Sequence, residues 1–324
     1  MTGLPSSSCP KVALVVTGGT LTALADDPLE VLDYGQAGAL SASDLLVRAP
    51  GLAASTHVIP VDCGSAPSFQ TYLPEWRRML ALFHALLEQH PDLAGIVLTH
   101  GTGSLEETAF LLSLIWDLPV PLAITGAQRP ASALGSDGWM NLAQAIRAVQ
   151  EPSLRDLGVV VVMHGEIHLA ADVTKTSNLG LDAFRSPDLG PVGHVLGLSP
   201  VLYRRPDPDR SVTGVFKGAL KKDLPRVDVL YCHMGGDAVA VEAFIAAGAQ
   251  GIVLAGFAPG YATGAQADAL ESWIRDQGGI VIQASRATGR SVRNSRNVGH
   301  GFLPSGVLRR QRRGFCCNSR FKPA

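Results

Sequence analysis

Two threonines stand in glycine-flanked turns, each directly after a short β-branched run: TGGT (Thr17 to Thr20) and THGTGSLEET (Thr99 to Thr108). In open parallel sheets, ligands bind outside the carboxyl ends of strands, where loops meet and helix N-termini aim N–H groups at the substrate. A hydroxyl held there becomes a nucleophile toward a carbonyl carbon once a base takes its proton. Threonine and glycine are also ordinary turn formers, so either segment alone supports both readings. Glycine clusters can instead cradle phosphates, but TGGTLT and GTGSLE lack the third glycine of a dinucleotide fingerprint, and the chain has no P-loop motif. His164 and His168 in MHGEIH have the i,i+4 spacing of a zinc helix. They follow the strand-like VVVVM, and a strand would set both rings on one face about two pleats apart, so no metal site is expected.

The elements that must hold these turns read as alternating strands and helices, the pattern of parallel strands joined by helical crossovers. KVALVV, HVIPV, GIVLTH, PLAIT and VVVVM are strand-like; Pro74 to His90 carries Trp76, Leu80, Phe83 and Leu87 at helical spacing. LEETAFLLSLIW and Asp137 to Val149 read as further helices, with Glu106 and Glu107 suited to the positive N-terminal end of the first. A stretch rich in Pro, Asp, Arg and Lys follows Leu198, and then comes a shorter alternation: VDVLY, a helix from Asp237 to Ala247, GIVLA, a helix through Trp273, and GGIVIQA. The expected architecture is therefore α/β. A large N-terminal parallel-sheet domain (1–198), a connection (199–226) and a smaller C-terminal open α/β domain (227–324) make it up.

Composition narrows the partners. The 324 residues are 46% hydrophobic and 17% charged, with a formal net charge of -1, which gives no electrostatic reason to expect nucleic acid or an anionic membrane. The ligand is expected to be a small molecule. The N-terminus lacks a basic segment followed by a long apolar one, and the five cysteines form no CxxC pair, which fits a reducing, cytoplasmic setting.

The blocks VVTGGTLTA, VLTHGTGSLEETAFLL, ITGAQRPASALGSDGWMNLAQAI and DVTKTSNLGLDAFRSPDLGPVG, in this order, resemble the signature blocks of the bacterial L-asparaginases, and AGFAPG and ASRATG resemble that family's small-domain loops. The resemblance implies hydrolysis of L-asparagine to L-aspartate and ammonia through a threonyl acyl-enzyme, without metal or cofactor, in a homotetramer. It implies Thr20 as nucleophile, Tyr34 as a tyrosine assisting it from a lid, and Thr102 with Lys175 as the pair that manages the proton. Ser65 would grip the substrate's α-carboxylate, with Ala66, Gly103 and Gly19 as further substrate-facing positions. Glutaminase activity is an alternative. A degenerate, non-catalytic amino-acid-binding homologue is another.

Three positions depart from the family pattern: Gly103 stands where an aspartate is usual, Ala66 where glutamine is common, and APGY (Ala258 to Tyr261) in place of a GNGN-like loop. Gly103 removes an anion that would bind an α-ammonium, so substrates with a blocked or absent α-amino group become a third alternative. It also leaves Lys175 less able to keep its proton if the amine is buried. The tail from about residue 307 is basic and cysteine-bearing without helical periodicity. Such a tail is expected either to be disordered or to come from a frameshift near Gly306, since Gly314 to Lys322 can be encoded so that another frame gives Val-Leu-Leu-Gln-Leu-Ala-Leu-Gln.

Overall fold

The computed structural model describes residues 9–64, 67–70, 73–206, 213–287 and 295–305. Two compact units divide the chain, Met1–Lys217 and Gly218–Ala324. Among the described residues no helix is long and apolar enough to cross a membrane.

The first unit is organised by β1 (Lys11–Val16), whose Val12, Ala13, Leu14 and Val15 are all fully buried. A strand that is apolar on both faces needs cover on both faces, as in a parallel sheet flanked by helices. Around it stand β2 (His57–Asp62), β3 (Leu93–Thr99), β4 (Leu122–Thr125) and β5 (Val159–Met163), all parallel in the order β2-β1-β3-β4-β5. Four helices lie along the crossovers: α1 (Ala42–Arg48), α2 (Leu73–Gln89), α3 (Leu105–Ile115) and α4 (Gly138–Ala148). Leu142, Ala145 and Ile146 of α4 recur at helical spacing and pack with Leu14, Val97 and Val160 in one core.

The large sheet is mixed rather than wholly parallel. Past β5 it continues antiparallel through β6 (Glu166–Leu169), while β7 (Thr174–Lys175) and β8 (Phe184–Arg185) form a separate two-stranded ribbon. Then β9 (Gly193–Leu196) and β10 (Ser199–Leu202) complete the order β10-β9-β6-β5-β4-β3-β1-β2. Residues 199–202, expected in the connection, are thus the edge strand of this sheet. The reading of MHGEIH as one continuing strand is also corrected. His164 (φ 49°) and Gly165 (φ 78°) are both left-handed and turn the chain back as a tight hairpin. His164 is exposed in that turn, whereas His168 lies buried on β6 opposite Val161, within 3.0 Å of the Ser186 hydroxyl and 3.2 Å of Glu166.

The second unit holds an all-parallel sheet of β11 (Val227–Tyr231), β12 (Gly251–Gly256), β13 (Ile280–Ser285) and β14 (Leu303–Pro304) in sequence order. Its helices are α5 (Val239–Ala246), α6 (Gly264–Gln277) and α7 (Ser295–Gly299). The α6 bounds follow from its caps. Thr263 and Gln266 form a reciprocal capping box, and Gly278 (φ 70°) ends the helix in the left-handed conformation. Leu230, Ile252, Leu254, Leu270 and Trp273 form this unit's core. Residues 307–324, and with them the frameshift question, lie outside the described residues.

Candidate active site

The two threonine turns meet because their strands are neighbours in register. Val16, the last residue of β1, pairs with Thr99, the last residue of β3, so both loops leave the sheet side by side. Thr17 ties them together, its hydroxyl donating to the Thr99 carbonyl at 2.7 Å. Gly19 shows why the first turn needs glycine: it has φ 84°, and a Cβ there would lie 2.7 Å from the Cα of Gly101. Both the backbone conformation and the close approach exclude a side chain. The turn closes through the Thr22 hydroxyl and the Ala23 N–H, which donate to the Gly19 carbonyl at 3.0 and 3.2 Å.

Beyond Thr22 the chain makes an excursion closed at its base by an antiparallel bridge between Ala23 and Ala39. The Leu40 N–H donates to the Thr22 carbonyl at 2.8 Å across that base. The excursion is also tied to the loop near Ser132, whose hydroxyl accepts from the Ala25 N–H at 2.8 Å. This lid carries Tyr34, whose phenol oxygen stands 2.8 Å from Thr20 Oγ1, with either oxygen able to donate.

Thr102 faces a different partner. Lys175 Nζ, from the β7–β8 ribbon, donates to Thr102 Oγ1 at 2.8 Å, and Thr102 itself is only 8% exposed. Half-burial of the Lys175 amine pulls its pKa below the usual lysine range by penalising the ammonium form, and the negative charge of Glu106 opposes that shift. Glu106 lies in the first turn of α3, is buried, and accepts from the Lys175 backbone N–H at 2.6 Å. Between the turns, His100 is buried with Nδ1 2.9 Å from the Gly101 carbonyl oxygen. Burial lowers its pKa against the opposing effect of that hydrogen bond. A neutral ring with its proton on Nδ1 therefore fits the site, and it fixes the peptide that precedes Thr102.

Gly19, Thr20, Tyr34, Thr102, Gly103 and Lys175 all line one open cleft of about 730 Å³. Ser65 and Ala66 fall outside the described residues. Among the described lining residues, Lys175 is the one cationic side chain and no carboxylate is present. Gly103 is exposed, and a Cβ added there would meet Ser68 Oγ at 3.5 Å and Phe69 at 4.0 Å, both ordinary contacts. Sterics therefore do not demand glycine at this position. In the sequence Glu106 reads only as an acidic residue at a helix start, and His100, Ser68 and Phe69 carry no motif that marks them. For Glu106 the available signal was its place four residues after Thr102, in the turn that opens α3. Among the described residues no group of three His, Cys, Asp or Glu could hold a metal ion.

Comparison with known proteins gives a consistent result. The family Asparaginase, N-terminal, matches residues 11–208, and the Glutaminase/Asparaginase C-terminal domain matches residues 226–312. A probable periplasmic L-asparaginase of Haemophilus influenzae is 30% identical over 310 residues, covering 95% of this chain and 87% of the relative. A glutaminase-asparaginase of Pseudomonas fluorescens is 31% identical over 290 residues, covering 88% of this chain and 78% of the relative. Among solved structures, a probable cytoplasmic L-asparaginase from Campylobacter jejuni superposes with a TM-score of 0.88 at 27% identity, over 96% of this chain and 94% of that one.

Proposed function

The chain belongs to the asparaginase family of amidohydrolases, and on that premise we propose that it hydrolyses L-asparagine to L-aspartate and ammonia, with Thr20 as the nucleophile. The observation that carries this reading is the cleft itself. It holds two hydroxyls from separate glycine turns, one 2.8 Å from a phenol oxygen and the other 2.8 Å from an amine.

The Thr20 oxygen attacks the carboxamide carbon while its proton passes into the Tyr34 hydrogen bond. The glycine turns let backbone N–H groups approach the carbonyl oxygen as it gains charge. Collapse of the tetrahedral intermediate breaks the C–N bond, and the nitrogen leaves as ammonia with a proton supplied from the site. Thr20 is then esterified. Water attacks the ester carbon, the carboxylic acid departs, and the proton returns to Thr20 Oγ1. Lys175, donating to Thr102, is poised to accept a proton once its amine is neutral, and its lowered pKa brings that form closer to working pH. The test is ammonia release from L-asparagine by the wild type and by Thr20→Ala. Turnover by the wild type and none by a folded Thr20→Ala is expected, and an active Thr20→Ala would sink the nucleophile assignment.

A second reading, favoured by the cleft's charge, is preference for amides whose α-amino group is blocked or absent. Supporting it are Lys175 as the one charged lining side chain described and Gly103 in a place where a larger residue would fit. A missing charge-assisted hydrogen bond to an α-ammonium costs about 1.5–3 kcal/mol, roughly ten- to a hundredfold in binding. Gly103→Asp should raise kcat/KM for asparagine relative to an N-acylated asparagine by a comparable factor; an unchanged ratio would remove this reading. We also propose a cytoplasmic homotetramer, on the cysteine pattern and the family resemblance, to be checked by fractionation and sedimentation.

A further inference from the structure

The cleft's proton-handling pair depends on a group that does not line the cleft. Glu106 is buried behind it, in the second position of α3, and its Oε2 accepts from the Lys175 backbone N–H at 2.6 Å. The Lys175 side chain then reaches 2.8 Å from Thr102 Oγ1, three residues before the start of that same helix. One short stretch, residues 102–106, therefore grips Lys175 twice, at the backbone through a carboxylate and at the amine through a hydroxyl. The β7–β8 ribbon is only two residues per strand and gives Lys175 little support of its own.

We propose that Glu106 is a positioning residue for Lys175, holding its backbone against α3 so that the amine meets Thr102 and working on that amine through its negative charge. The inference rests on the reading of Lys175 as the proton acceptor. A carboxylate in the first turn of a helix interacts favourably with the N-terminal partial positive charge. Other ionisable groups around Lys175 are accounted for. Tyr34 approaches from the lid side of the cleft and contacts Thr20; on β8, Arg185 is paired with Asp182; and Asp172, just before β7, lies 3.7 Å from Arg204. Of these groups, Glu106 is the anion that acts on the Lys175 amine, and it favours the protonated form.

Two substitutions separate the carboxylate's two effects. Glu106→Gln keeps an oxygen that can accept the Lys175 N–H but removes the charge; Glu106→Asp keeps the charge but shortens the reach. Lys175 titration is followed directly by the NMR shift of its ε-carbon in ¹³C-lysine-labelled protein, assigned through Lys175→Met, and kcat/KM for asparagine is measured across the same pH range. In Glu106→Gln the Lys175 pKa should fall by about half to one pH unit, the discounted effect of one nearby charge on a half-buried amine. The rise of kcat/KM with pH should move down with it. Glu106→Asp should titrate within about 0.3 unit of wild type while losing about tenfold or more in kcat, because the amine is misplaced. A Lys175 pKa unmoved by Glu106→Gln, or moved equally by both variants, overturns the proposal. If the titration moves and the rate profile does not, the role of Glu106 stands and the reading of Lys175 as base falls.

Discussion

The two hydroxyl centres of the cleft stand on different ground. Thr102 opens onto α3, where every residue from Leu105 to Ile115 except Glu107 is buried, and its partner Lys175 is held to the same helix through Glu106. Thr20 meets its partner through the lid, in which no residue from 24 to 39 is buried and Leu29 and Leu32 are 72% and 69% exposed. Segments with few buried apolar contacts open at low free energy, whereas densely packed ones open only with the domain. The cleft thus joins a hydroxyl anchored to a buried helix with one whose partner is carried by an exposed loop.

This contrast can be broken by experiment. After the complete loss expected of Thr20→Ala, the largest effect belongs to Thr102→Val, which keeps shape and removes the hydroxyl that Lys175 contacts. On the scale of general acid–base contributions, kcat should fall by about 10²–10⁴. Tyr34→Phe removes the oxygen into whose hydrogen bond the Thr20 proton passes, but on an exposed loop where water can take its place, so kcat/KM should fall by about a hundredfold, the low end of the same scale. Steady-state ammonia release measures both. Equal losses in the two variants would show that the lid centre is as firmly built as the helix centre, and the distinction would be abandoned.

Much of this arrangement was legible in the residues, and the illegible parts share a cause. KVALVV, VVVVM and GIVLTH read as strands because burial on both faces leaves a continuous apolar run, and α2 reads as a helix because Trp76, Leu80, Phe83 and Leu87 are spaced for one helical face. The hairpin at His164 and Gly165 was hidden because a histidine at positive φ is rare, and a run such as MHGEIH fits a continuing strand equally well. Strands β7 to β10 were missed because they are two to four residues long and fixed by long-range pairing rather than by any local pattern. The same holds at the site. Thr20 and Thr102 announce themselves by their glycines, but Glu106 looks like any acidic residue at a helix start until the fold brings Lys175 to it across 69 positions of chain.

The pairing of Val16 with Thr99 carries a consequence for how the molecule tolerates change. The separation between the two threonine turns is a spacing between adjacent hydrogen-bonded strands, about 4.8 Å at its base, and is set by the sheet rather than by the intervening polypeptide. Insertions and deletions in the exposed stretch between Leu24 and Gly38 would alter what the enzyme admits and how quickly, while leaving the ruler between the two turns untouched.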